Sequence, residues 1–453
     1  HNLLTGTGSE KIMMDNQQTW SKNLPVHLVD FNNPDRNSFI AINQFKIREL
    51  RKTTHIVPGI VLFLNGMPIG VVECKSPTVW WEYSDKNSIE EAINQLKRYS
   101  NDRGSDVSEG NEKLFVYNQL MIVTSRQEAR VWSIFAPHQY YLEWKDPYPL
   151  SHEELGERPT SQHILVAWLL SKANILQIIQ NFILFQQDDG GRKYKIVCRY
   201  QQFRAVNKML HNLADSSKTK EDKGGIIWHT QGSGKSLTMV FLIRAMRNSE
   251  SGKWYKIVFV TDRKDLQRQI GKTAQAIGES IYPKQDSHNT IDTIQSLLAD
   301  DSSQIINAMV HKFRNKDEEV IELPVLNTSD KILLLIDEGH RSHASLLGAN
   351  IMNALPNAVR VAFTGTPIIT GKNRKKSHEI FWSYIDTYTI EQAVKDGATV
   401  QIYYEGRTSQ DAISDKDAMD KAFLDMFHDK TKEEQEAIMK KYGTTKNYQE
   451  APE

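Results

Sequence analysis

The segment IIWHTQGSGKSLTM, residues 226–239, constrains the fold of this chain more than any other. An apolar strand runs into a loop of Thr230, Gly232, Ser233 and Gly234, and Lys235 and Ser236 open a helix directly after it. Glycines let successive backbone N–H groups curl around phosphate oxygens. A lysine in this place reaches the terminal phosphates, and the hydroxyl after it ligates Mg²⁺. His229 stands where the usual phosphate-loop pattern has its first glycine, so the pattern is matched only from Gly232 onward.

Three further runs complete a series. KIVFVTD (256–262), KILLLIDE (331–338) and VRVAFTG (359–365) are continuous apolar stretches separated by loops and helical segments. Such strands belong in a parallel sheet covered on both faces. One of them ends in Asp337-Glu338, which suits Asp337 to holding Mg²⁺ through water and Glu338 to polarising the attacking water. The turn FTGTP (363–367) places Thr364 and Thr366 to sense the state of the bound nucleotide. The cofactors expected are ATP and Mg²⁺.

Composition excludes little. Lys plus Arg is 56 and Asp plus Glu is 56, so any affinity for a polyanion must come from local patches rather than net charge. No run approaches the length of apolar sequence needed to span a membrane, and none is expected to. Two cysteines, Cys74 and Cys198, are too few for a disulfide framework. With no signal-peptide pattern at the start, the expected location is the cytoplasm.

Residues 1–150 have a different texture. IVLFL (60–64) and IGVVECK (69–75) flank Asn65-Gly66, a strong hairpin signal. Ser88 and Glu91 are spaced as a capping box for a helix over 89–99, with Ile89, Ile93, Leu96 and Tyr99 on its apolar stripe. LMIVTS (120–125) and ARVWSIF (129–135) supply two more strands, and 151–195 reads as a mostly helical connector. The division expected is 1–150, 151–195, 196–390 and 391–453, the last being the start of another α/β domain.

WHTQGSGKS, DEGHRSH and FTGTP, with FVTDRKDL (259–266) between them, resemble the first motor domain of superfamily 2 helicases and translocases. Arg199-Tyr200-Gln201-Gln202-Phe203 resembles that superfamily's adenine-reading motif, and Gln202 is the residue favoured to grip the base. Thr261, Asp262, Arg263, Thr293 and Gln295 match segments that face the nucleic-acid backbone. Together with FWSYIDTYTIEQAVKDGATVQIYYEGR (381–407), the pattern over roughly residues 30–410 is similar to the restriction subunit of type I restriction–modification enzymes.

That resemblance implies an α/β chain with an N-terminal restriction-endonuclease-like mixed sheet, then a RecA-like motor domain and the start of a second. It implies double-stranded DNA as substrate, and the methyltransferase and specificity subunits as partners. It also puts the arginine finger in a second motor lobe beyond residue 453, so this piece would bind ATP better than it hydrolyses it.

The family's nuclease is of the PD-(D/E)xK type, in which two carboxylates hold Mg²⁺ and a lysine positions water. Glu73 and Lys75 fit the second half, because strand alternation puts them on one face. Gln95 and Tyr99, one helical turn apart, resemble the QxxxY signature that braces the lysine and a DNA phosphate. One departure stands out: the family's metal-binding Asp should lie fourteen residues before the Glu, and the chain has Gly59 there. Either the nuclease is crippled, or another acid such as Asp30 or Glu49 reaches in, or a natural or engineered substitution is present. Three readings follow: a nuclease-bearing DNA translocase, a stand-alone superfamily 2 helicase, and a DNA-binding scaffold with degraded catalysis.

Overall fold

The structure is a computed structural model. It describes residues 1–5, 12–16, 21–48, 55–76, 88–104, 109–125, 127–134, 136, 140–187, 191, 193–261, 270–271, 280–283, 291–309, 323–337, 350–366, 383–400 and 430–434. Residues His1–Val400 form one compact unit, and Gln401–Glu453 a second, of which 430–434 are described.

The N-terminal sheet is built from β1 (Phe39–Asn43), β2 (Ile60–Leu64), β3 (Met67–Lys75), β4 (Leu120–Ser125), β5 (Glu128–Trp132) and β6 (Leu142–Glu143), lying side by side in chain order. Neighbours are antiparallel except β3 and β4, which run parallel because a helix intervenes. The β2–β3 hairpin turns at Asn65 (φ 51°) and Gly66 (φ 80°), the two left-handed positions an Asn-Gly pair supplies. Helix α1 (Ser88–Tyr99) crosses from β3 to β4 and buries Ile89, Ala92, Ile93, Leu96 and Tyr99. Ser88 lies inside the helix rather than ahead of it, and its hydroxyl donates to Ser125 Oγ at 3.0 Å.

The connector is only half helical. Helix α2 (Lys172–Asn181) forms, but the following ILF continues as β7 (Ile183–Gln187), paired antiparallel with β8 (Lys193–Val197). The DDGGR sequence between them is a turn signal, and period alone does not separate a short apolar strand from a buried helix. An aromatic cluster ties this region to the rest: Trp168 sits 5.1 Å from Trp144 and 4.7 Å from Phe203, centroid to centroid. No single described helix is long and apolar enough to cross a membrane.

Helix α3 (Tyr200–Ala214) leads into the second sheet. Its strands are β9 (Gly225–His229), β10 (Lys256–Thr261), β11 (Ile281–Tyr282), β12 (Ile305–Met309), β13 (Ile332–Asp337), β14 (Val359–Thr364) and β15 (Tyr384–Tyr388). They lie in the order β11-β12-β10-β13-β14-β9-β15, every pairing parallel. Both faces are covered, as the unbroken apolar runs require. Ile257 and Phe259 of β10 join a core that continues beneath the N-terminal sheet, whereas Val258 and Val260 join a second core with Ile351 and Leu355. Helix α4 (Lys235–Arg247) follows β9, α5 (Ile291–Ala299) precedes β12, and α6 (Ile390–Lys395) follows β15. In such sheets ligands bind beyond the carboxyl ends of the strands. His229, Asp337, Thr364 and Tyr388 end four strands at that edge.

Candidate functional site

The loop after β9 has a phosphate-binding shape. Gly232 and Gly234 hold φ of 82° and 86°, a region other residues enter at a cost, and this turns their neighbours' N–H groups inward. Thr230 anchors the loop by donating its N–H to Tyr388 O at 3.0 Å and accepting from Ser233 N–H at 3.2 Å. Ser233 is buried and its hydroxyl has no partner, an unmet polar group that a bound phosphate would satisfy. Lys235 lies over the loop, Nζ 3.4 Å from His229 O. The FTGTP turn closes on the same place: a Cβ on Gly365 would meet Lys235 Nζ at 3.3 Å and Gln231 N at 3.2 Å. These residues fit a nucleotide triphosphate. Ser236, half-buried at the start of α4, and Asp337, buried at the end of β13, are the groups that would hold its Mg²⁺.

Gln202 is buried on α3 and fully engaged. Its Oε1 accepts from Arg199 N–H at 2.9 Å and its Nε2 donates to Gly234 O at 3.1 Å. Thr293 and Gln295 are half-buried on α5, two positions apart and therefore on different faces of the helix. Glu338, Asp262 and Arg263 lie outside the described residues.

The departure at His229 has a structural counterpart that sequence patterns did not reveal. His229 is fully buried, with Nε2 2.8 Å from Asp386 Oδ2. Arg204 forks the same carboxylate at 2.7 and 3.0 Å and also pairs with Asp146, and Lys208 adds a second cation at 2.9 Å. Burial alone would raise the Asp386 carboxyl, but the hydrogen bonds from His229 and Arg204 outweigh it and hold it well below the usual range. Burial also pushes the His229 imidazole down, beyond what Asp386 restores. His229 is therefore a neutral ring donating from Nε2 to a charged carboxylate, with Nδ1 lacking a partner, as suits an unprotonated nitrogen. The one signal available beforehand was the histidine itself, in a glycine's place.

In the N-terminal sheet, the residues expected to form a nuclease centre do meet. Glu73 and Lys75 share a face of β3, with Lys75 Nζ 3.4 Å from Glu73 Oε1. Gln95 Nε2 donates to Tyr99 OH at 2.9 Å, and Tyr99 OH donates to Val57 O at 3.0 Å, bracing the turn that carries Gly59. Glu91, one turn before Gln95 on α1, also reaches Lys75 Nζ, at 3.5 Å; it was not anticipated as part of this site. Burial raises the Glu73 carboxyl, and the Lys75 charge only partly offsets it.

A divalent ion does not fit this arrangement. Glu73 Oε2 faces the Gly59 N–H at 3.4 Å and Oε1 faces Lys75. Among the described residues no group of three His, Cys, Asp or Glu is disposed to hold a metal. Asp30 is no substitute: it accepts from the N–H groups of Asn32 and Asn33 and pairs with Arg36 at 3.6 Å, within its own loop. Glu49 lies outside the described residues.

Gly59 also packs tightly, and a Cβ there would lie 2.9 Å from Val72 O. Gly59→Asp is thus expected to cost about 1–3 kcal/mol as β3 gives way, while setting a second carboxylate beside Glu73. Thermal melts with and without Mg²⁺ should show Mg²⁺ stabilising this variant and leaving the unaltered chain unmoved. A Mg²⁺-dependent rise in the unaltered chain that Glu73→Ala removes would contradict this account of the site.

Comparison with known families agrees with both halves. A family model described as SWI2/SNF2 ATPase matches residues 201–436, and one described as type I restriction enzyme R protein N terminus matches 7–140. The HindI endonuclease subunit of a Haemophilus influenzae type I restriction enzyme is 31% identical over 415 residues, covering 88% of this chain and 37% of the relative. The SsaAORF53P endonuclease subunit of Staphylococcus saprophyticus is 25% identical over 370 residues, 80% of this chain and 36% of the relative. The chain therefore spans a little over a third of the length of these curated relatives. Among solved structures, a nuclease-deletion mutant of the Type ISP restriction-modification enzyme LlaGI with a DNA substrate mimic matches 51% of this chain and 22% of that one. Its sequence identity is 14% and its TM-score 0.30, too low to add to the assignment.

Proposed function

This chain belongs to the SWI2/SNF2 ATPase family and carries the N-terminal domain of type I restriction R proteins; from that premise we propose that it is the motor part of a DNA-translocating restriction subunit. Its substrate is double-stranded DNA, and its partners are the methyltransferase and specificity subunits of the complex. The observation that carries the reading is the phosphate loop: two left-handed glycines, a buried unpartnered Ser233 hydroxyl and Lys235 above them, at the sheet edge where β13 ends in Asp337.

ATP bound there would supply the phosphoanhydride bond whose hydrolysis, to ADP and phosphate, drives movement. Lys235 would hold the terminal phosphates, and Ser236 and Asp337 would hold Mg²⁺. Glu338 orients and polarises the attacking water. Thr364 and Thr366, on the turn packed against Lys235, read the presence of the last phosphate. Arg263, Thr293 and Gln295 are assigned to the DNA backbone. The N-terminal domain retains Glu73, Lys75, Gln95 and Tyr99 but has Gly59 in place of the metal-binding Asp, and among the described residues no group of three His, Cys, Asp or Glu is disposed to hold a metal, so in its complex the chain moves DNA and cuts it weakly or not at all. In this reading the domains run 1–150, 151–195, 196–390 and 391–453.

The test is DNA-stimulated ATP turnover by the complete subunit in its complex. Asp337→Ala and Glu338→Gln are each expected to remove it while leaving the fold intact. Glu338→Gln should trap bound ATP, whereas Asp337→Ala should weaken the Mg²⁺ dependence of binding. Unaltered turnover in either variant defeats the motor reading.

A further inference from the structure

The strand that carries the phosphate loop, β9, lies beside β14, which carries the FTGTP turn. Their parallel pairing ends at Trp228 opposite Thr364, and beyond that pair one chain enters the loop and the other the turn. Trp228 is half-buried at the edge of the second core, its ring 5.9 Å from that of Tyr384 on β15. An indole has a single donor. Here Nε1 donates to Gly365 O at 3.1 Å, a tie between the two chains one residue past the last pair of the sheet.

That carbonyl belongs to the peptide joining Gly365 to Thr366. A trans peptide is planar, with its C=O and N–H pointing in opposite directions, so fixing one fixes the other. The N–H of this peptide, that of Thr366, donates to Thr364 Oγ1 at 3.1 Å. The Trp228 indole therefore holds the plane that links the two threonines. The same turn lies on the loop: around the place where a Cβ on Gly365 would stand are Gln231 N at 3.2 Å, Lys235 Nζ at 3.3 Å and His229 O at 3.5 Å. At such distances a rotation of the 365–366 peptide changes what faces Lys235 Nζ, the group assigned to the terminal phosphates.

We propose that Trp228 is a positioning residue for the ATPase, whose indole holds the turn of Thr364 and Thr366 against the phosphate loop so that the chain distinguishes ATP from ADP. The Tyr384 ring beside it supports the indole by packing and takes no part in the tie.

This rests on the phosphate-loop reading above and on the turn as the reader of the last phosphate, and the experiment separates the three. Calorimetry on the full 453-residue chain compares ATP with ADP, both with Mg²⁺. Trp228→Phe keeps a ring beside Tyr384 and removes the donor. It is expected to weaken ATP about tenfold, about 1.4 kcal/mol, the scale of one hydrogen bond, and to leave ADP within about twofold. Trp228→Met is expected to give the same split without a ring, and circular dichroism checks that each variant folds. Tyr384→Leu, which removes the neighbouring ring but not the indole, should leave both nucleotides within about twofold. Equal losses for ATP and ADP, no loss for ATP in folded variants, the same split in Tyr384→Leu, or failure of both Trp228 variants to fold overturns the positioning role alone. Equal affinity for the two nucleotides in the unaltered chain overturns the reading of the turn and the proposal with it. Binding of neither nucleotide by the unaltered chain overturns the phosphate-loop reading as well.

Discussion

Asp386→Ala is expected to destabilise the chain by about 3–5 kcal/mol, the usual result of removing one partner from a buried ion pair. The side chain is fully buried, and Arg204, Lys208 and His229 all converge on it. Its loss leaves the Arg204 guanidinium, itself mostly buried, with Asp146 as its remaining carboxylate. The same residues link the first position of the phosphate loop, helix α3 and the end of the N-terminal sheet, so the damage should not stay local. Urea denaturation of the variant measures it, and a loss below about 1 kcal/mol would show that the network is not structural.

Acidity should act on the same network. Asp386 is depressed in the folded chain, so its contribution is present above the ordinary aspartate range and lost as pH falls through the lower folded value. His229 is depressed too, and a histidine buried neutral must be charged on unfolding, so its contribution begins to fall once pH drops below the ordinary imidazole range. Both signs make the chain less stable in acid, the histidine first and the aspartate last.

Much of the architecture was legible because its local signals agree with its global form. Asn65-Gly66 dictates a hairpin whatever surrounds it. The unbroken apolar strands at 256–261 and 332–337 have no polar face to give water, so they must lie inside a parallel sheet. The connector was read less well, because ILF at 183–185 is a strand only through its pairing with residues 195–197, which period does not encode.

Of the candidate sites, the left-handed Gly232 and Gly234 and the Gln95–Tyr99 hydrogen bond lie where the glycine loop and the QxxxY spacing put them, whereas Glu338, Asp262 and Arg263 lie outside the described residues. What the sequence could not reveal were contacts set by tertiary packing. Arg204 and Asp386 are separated by 182 positions, and neither belongs to a motif. Gln201 and Gln202 are adjacent and chemically identical, and only the fold shows that Gln202 is the one engaged by the phosphate loop. Gly59 was visible as a departure. That its backbone N–H stands opposite Glu73, and that a Cβ there would press on Val72 O, was not.

The central claim is that the loop after β9 holds the phosphates of ATP, and equilibrium binding of Mg²⁺–ATP to the chain and to Lys235→Ala tests it most directly. Lys235 is the mobile positive charge at the loop, and truncating one partner of a desolvated charge pair costs about 2–5 kcal/mol. The variant is therefore expected to bind at least about 30-fold more weakly, since each 1.4 kcal/mol is about tenfold, with its fold unchanged. ATP affinity equal to that of the unaltered chain in a folded Lys235→Ala variant would contradict the assignment of this loop.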